Sequence, residues 1–151
     1  MMHGWDTLVV AHDGAQTLVP AVRRVVRKLV PVMFGRGAGV GVRLVDDAEM
    51  KALQRDFRGK TGLTDVLSFP GDEGYVGDIA ISPTVARRQA KEMGHPVATE
   101  LAVLTVHGLV HLAGLDHENS HDEALLQAEV EMGLLSLIGV KPEAALGRRG
   151  I

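Results

Sequence analysis

Three imidazoles fall on a fixed schedule in the stretch His107-Gly108-Leu109-Val110-His111-Leu112-Ala113-Gly114-Leu115-Asp116-His117. Leu101 to Leu112 is apolar, with no Pro and one Gly, which predicts a buried helix. Residues four apart share a helix face, so His107 and His111 should point the same way. Gly114 suits a left-handed cap, after which the chain can turn back and bring His117 toward the other two. Neutral imidazoles are good ligands for a zinc-type cation, and three protein ligands leave a fourth position open, as in catalytic rather than structural sites. A lone buried histidine more often hydrogen-bonds locally on an apolar face. Three at this spacing are expected to hold one Zn2+ per chain. His121, four residues after His117, competes as third ligand, but the bend at Gly114 favours His117.

The spacing H-x3-H-x2-G-x2-H is shared with the long zinc-peptidase motif, where the residue after the first His is a glutamate acting as general base. Here that residue is Gly108. The stretch more closely resembles the HGxLHLxGYDH signature of the YbeY family of metal-dependent endoribonucleases. Phe57 to Pro70, FRGKTGLTDVLSFP, resembles that family's YRxKxxxTDVLSFP segment, and Gly77 to Ser82, GDIAIS, its GDIxIS strand. The resemblance spans residues 40 to 138.

It implies a zinc-dependent, single-strand-specific endoribonuclease acting in small-subunit rRNA maturation and ribosome quality control. The implied partners are single-stranded RNA, ribosomal RNA and the ribosome, with no DNA. Arg58 matches the arginine implicated in catalysis in the family, and a guanidinium suits the negative charge that builds on phosphoryl oxygens in the transition state. Lys60 matches in type and is a candidate phosphate contact. A divalent ion would act as a Lewis acid on a phosphoryl oxygen and lower the pKa of its water to about 7. Leu115 stands where the family has Tyr, Phe57 where Tyr is common, and Leu126 near a usual Met. The rival readings are a metallopeptidase or other metal-dependent hydrolase, and a non-enzymatic ribosome-assembly factor with a structural metal.

Around this centre, Asp116 and Glu100 are candidates to orient a liganding histidine through its other ring nitrogen: Asp116 adjoins His117, and Glu100 lies seven residues before His107 on the same helix face. Asp116 is equally suited to cap the turn after Gly114. Asp65 and Asp78 are expected to satisfy backbone donors at strand ends. His3, His12 and His95 have no partner at ligand spacing and read as surface residues.

The elements that must position these groups follow from periodicity. Strands are predicted over 7–11, 40–45, 64–69 and 76–82, and helices over 18–33, 47–57, 84–93, from about Thr99 to Leu112, and 122–138. The last helix, with Leu125, Ala128, Met132 and Leu135 widened by Leu126, Val130, Leu134, Leu137 and Ile138, is expected to be mostly buried. Residues 141–151 read as a frayed tail. The glycine-rich 35–41 lacks a Gly-Lys-Ser/Thr ending and precedes a strand, so it reads as a turn. Four strands and about five helices give an α+β fold, a single domain over 1–151 with a small mixed sheet and a zincin-like metal helix.

At 151 residues, 46% hydrophobic and 23% charged, the chain is long enough for one real core. One Trp, one Tyr and three Phe make that core aliphatic and argue against an aromatic base-stacking platform. The absence of cysteine excludes a thiolate site and fits a reducing cytoplasm. No run approaches the roughly 18 uncharged apolar residues of a membrane span. Net charge is -3, yet Gln16 to Val45 carries Arg23, Arg24, Arg27, Lys28, Arg36 and Arg43 with no acidic residue, while Glu92 to Val140 carries acidic residues and no Lys or Arg. That asymmetry suits either a basic face for phosphate or a solvated helix.

Overall fold

Alternating apolar residues in three strands give the sheet one deeply buried face. The computed structural model describes residues 7–115 and 120–145. The strands are β1 (Leu8–Ala11), β2 (Gly39–Leu44), β3 (Val66–Pro70) and β4 (Tyr75–Ile81), in spatial order β1-β2-β4-β3. β1, β2 and β4 run parallel, and β3 joins β4 antiparallel as an edge strand. Val9, Val40, Val42, Leu44, Val66, Ile79 and Ile81 point to one side and enter the main core. Leu67 and Ala80 point to the other, with Val45 and Met50.

Five α-helices complete the α+β fold. α1 (Val19–Phe34) buries Val22, Val25, Val26, Leu29 and Val30 at three- and four-residue spacing, with Pro20 tolerated in its first turn. α2 (Asp47–Arg58) begins where the Asp46 carboxylate accepts the Glu49 N–H at 2.8 Å and ends at Gly59, φ 65°. α3 (Pro83–Met93) is capped by Ser82 Oγ, which accepts the Val85 N–H. α4 (Val97–Leu112) starts two residues earlier than its sequence suggests, directly after Pro96. α5 (His121–Leu137) is capped by Ser120 through the Glu123 N–H.

α4 is the central helix: every residue from Glu100 to Val110 is buried, and it packs against α1, α3, α5, β3 and β4. Gly108 makes its approach to the sheet possible. A Cβ there would lie 2.9 Å from Ile79 Cδ1 and 3.0 Å from Cγ2, on a side chain only 1% exposed. α2 lies across the sheet from α4, over the smaller core.

Two expectations are corrected. α5 is half-buried rather than mostly buried: Leu125, Leu126 and Leu137 are 41%, 49% and 54% exposed, while Gln127, Ala128, Glu131, Leu134 and Leu135 face inward. Its apolar residues run around the helix, so polar contacts to α4 choose the buried face. The segment after Lys141 is not frayed throughout, because Pro142–Ala145 forms a short 3-10 helix whose Ala145 joins the main core.

On the outer sheet face, Gly41 leaves room for a polar pair. A Cβ at Gly41 would meet Asp78 Oδ1 at 2.5 Å and Tyr75 Oη at 2.6 Å. The Tyr75 hydroxyl donates to Asp78 Oδ1 at 2.5 Å. Burial first, then the hydrogen bond and charge of Asp78, push the Tyr75 phenol up to about 12, with the Gly41 backbone pulling the other way.

Two predictions follow from this packing. Gly108→Ala should destabilise by about 1 kcal/mol net in urea unfolding, because overpacking of about 1–3 kcal/mol outweighs the helix preference for Ala. Gly133→Ala in α5, where nothing lies within 4 Å of the added carbon, should instead stabilise by about 0.5–1 kcal/mol. Equal gains at both positions would mean that Ile79 does not confine α4. Tyr75, the chain's one tyrosine, should ionise near pH 12 by ultraviolet titration, and Asp78→Asn should lower that value without restoring 10, because burial persists. With the folded pKa raised, the associated stability is present below pH 10 and lost as pH rises through 12. An Asp78→Asn titration identical to wild type would rule out the carboxylate as a cause.

Candidate metal centre

Helical spacing does to the two histidines what it must: the His107 and His111 rings lie with centroids 4.7 Å apart, inclined at 63°. His107 is 6% exposed and His111 is half-buried. The helix closes as expected, with the Gly114 N–H donating to His111 O at 2.9 Å and Gly114 at φ 101°. Asp116 and His117 lie outside the described residues. Leu115, the last residue before them, packs against the main core.

His107 Nδ1 is 2.7 Å from Glu131 Oε2 of α5. An ionised carboxylate only accepts, so Nδ1 carries the proton and donates, which leaves the lone pair on Nε2, the atom that would face a metal if one bound here. Gln127 Nε2 donates to the same Oε2 at 2.8 Å. With both nitrogens donating to one oxygen, the 3.1 Å between Gln127 Nε2 and His107 Nδ1 follows from the shared acceptor and is not a third bond. Glu131 and Gln127 are 2% and 3% exposed, so these bonds are shielded from water.

Glu100, expected to support the same histidine, is fully buried near the start of α4 and sits 2.7 Å from His95 Nε2 through its Oε1. His95 is therefore a half-buried partner of Glu100 rather than an isolated surface residue. Asp65 behaves as a strand-end acceptor, taking the Val66 N–H at 2.8 Å and Gln89 Nε2 at 3.3 Å. Asp78 accepts a phenol instead of a backbone donor. His121 is exposed at the first position of α5.

Arg58 and Lys60 are exposed at and just beyond the C-terminus of α2, across the sheet from α4. The chain then rounds the sheet edge into β3, and Ser68 Oγ of β3 donates to the Gly108 carbonyl at 3.1 Å. Edge strand and α4 are thus fastened together one residue from His107.

Glu131 and Gln127 were not legible as site residues. Their signal in the sequence is two polar residues four apart, with Glu129 between them on another side of the helix, and it acquires meaning once α5 is known to pack on α4. Among the described residues no group of three His, Cys, Asp or Glu gathers. The donor set still fits a zinc-type cation: an imidazole with its Nδ1 proton committed to a buried carboxylate, and a second imidazole edge-on to it one turn away.

Residues 11–137 match the family model described as Endoribonuclease YbeY. Relatives of that name include proteins of Chloroflexus aurantiacus, 43% identical over 71% of this chain and 77% of its own, and Halorhodospira halophila, 39% identical over 80% and 85%. The solution structure of TM1509 from Thermotoga maritima superposes with a TM-score of 0.59 at 28% identity, covering 87% of this chain and 90% of that one. The matched residues run from the end of β1 to the end of α5 and include the histidine pair, Gly108, Gln127 and Glu131: the chain belongs to the Endoribonuclease YbeY family.

Proposed function

We propose that this protein is a zinc-dependent endoribonuclease that cuts single-stranded RNA, in the cytoplasm, during maturation of small-subunit ribosomal RNA and ribosome quality control. The observation that carries the reading, beside family membership, is the His107–Glu131 hydrogen bond, which fixes the tautomer a metal ligand needs. His107, His111 and His117 would hold one Zn2+, with the third ligand assigned from the sequence motif. A cation bound there would polarise a phosphoryl oxygen and lower the pKa of a water. Arg58 would neutralise charge on the non-bridging oxygens through its planar donors, and Lys60 would hold a neighbouring phosphate. No described helix is long and apolar enough to cross a membrane.

The peptidase alternative loses ground on a steric observation. The position of its glutamate base is Gly108, where even a Cβ collides with Ile79. The assembly-factor alternative keeps the metal and drops the chemistry.

Glu131→Gln keeps the side chain's size but removes the carboxylate, and should weaken zinc binding about 10- to 100-fold in competition with a chromophoric chelator. His107→Ala or His111→Ala should strip the metal and leave most of the helical signal. Unaltered zinc affinity in all three variants would refute the site. Cleavage of a labelled single-stranded RNA should be abolished by chelator and reduced about a hundredfold or more by Arg58→Ala. Cutting that survives both treatments would point to a contaminating nuclease. A protein that binds zinc and never cuts would favour the assembly factor.

A further inference from the structure

Although aromatic residues are few, the fold gathers three of them on the outer sheet face. Phe57, in the last turn of α2, is 66% exposed. Its ring meets Phe69 of β3 edge to face, with centroids 5.1 Å apart. Phe69 is paired in register with Asp78, and Asp78 receives the Tyr75 hydroxyl. Beside these rings runs a groove of about 340 Å³ lined by Arg43, Leu53, Phe57, Phe69, Asp78 and Ala80, large enough for a flat heterocycle.

The charges around the groove suit a nucleotide. Arg43 is paired with Glu49, and Arg55 with Asp56. Arg58 and Lys60, one and three residues after Phe57, have no ion-pair partner among the described residues. An aromatic ring next to two cations unpaired among the described residues complements a base joined to its phosphates. The floor offers a guanidinium at Arg43 and a carboxylate at Asp78 for the polar edge of a base.

We propose that this groove seats one nucleobase of the single-stranded substrate against Phe57, a subsite that rests on the endoribonuclease reading. Along β3 successive side chains alternate, so Ser68 holds Gly108 of the metal helix while Phe69 faces the groove. A single strand rounding this edge reaches both faces of the sheet, with Arg58 and Lys60 beside its path. A duplex is too stiff to make that turn and keeps its bases stacked inward.

The test measures binding, so it stands apart from the cleavage assay. Two fluorescent octamers of equal charge are compared, 2′-O-methyl oligoadenylate and a base-free 2′-O-methyl ribose-phosphate chain. Wild type should bind the first more tightly, by roughly tenfold. Phe57→Ala and Phe57→Leu should erase that difference while leaving the base-free octamer unaffected, and Phe57→Trp should restore it. Exposure of Phe57 predicts wild-type circular dichroism for all three. The subsite is overturned if wild type does not discriminate between the octamers, or if the difference survives loss of the ring. Metal-dependent cleavage with no base-dependent binding would remove the subsite alone. Base-dependent binding without any cleavage would remove the nuclease reading alone.

Discussion

One carboxylate oxygen, Glu131 Oε2, joins the two halves of the candidate centre. It accepts from His107 of α4 and from Gln127 one turn earlier on its own helix, in a place water barely reaches. A buried carboxylate is costly unless its acceptors are filled, and losing one donor leaves the other side of the pair stranded. This requirement sets the rotation of α5 about its axis. Hydrophobicity alone would not, since the helix has leucines on several sides. Leu125, Leu126 and Leu137 remain at the surface because Gln127 and Glu131 must face α4.

The second constraint is the close approach of α4 to the sheet. Gly108 lets the helix settle onto Ile79, and its carbonyl then receives Ser68 of the edge strand. The two contacts place His107 at a fixed depth beside β3. The same glycine stands where a zinc peptidase carries its glutamate base, and a larger residue there would have to displace Ile79.

Most of the architecture was legible because the signals were local. Asp46 and Ser82 start helices through their own side chains, Gly59 and Gly94 end them in left-handed caps, and the three- and four-residue spacing of valines in α1 marks its buried side. The start of α4 is less legible, because Pro96 at its N-cap is extended and supplies no side-chain cap. The hydrogen bonds of His107 and His95 were not legible. Glu131 lies 24 residues from His107, and choosing it over other acidic residues requires knowing which helices pack. Glu100 lay on the correct helix but takes His95, across a Pro turn that periodicity ignores. The short helix at Pro142–Ala145 was missed for a similar reason, since Ala145 is held by a tertiary contact with the core.

The aromatic residues show how far composition can mislead. Three Phe and one Tyr in 151 residues seem too few for a base platform, and a row of stacking rings is indeed absent among the described residues. Yet a count says nothing of placement. Phe57 lies 12 residues before Phe69 in the chain, and the turn from α2 into β3 folds that interval back so their rings touch. Tyr75 reaches the same face because Gly41, on a different strand, has no side chain to block it. A scarce residue type concentrated at one edge, beside cations with no ion-pair partner among the described residues, can supply recognition that the same residues dispersed through a core could not. The edge strand then separates two tasks within the thickness of a single sheet: Ser68 braces the helix that bears the histidines, and Phe69 turns away toward the groove. A substrate able to wrap that edge must be flexible, so the shape of the sheet edge would by itself favour a single strand over a duplex.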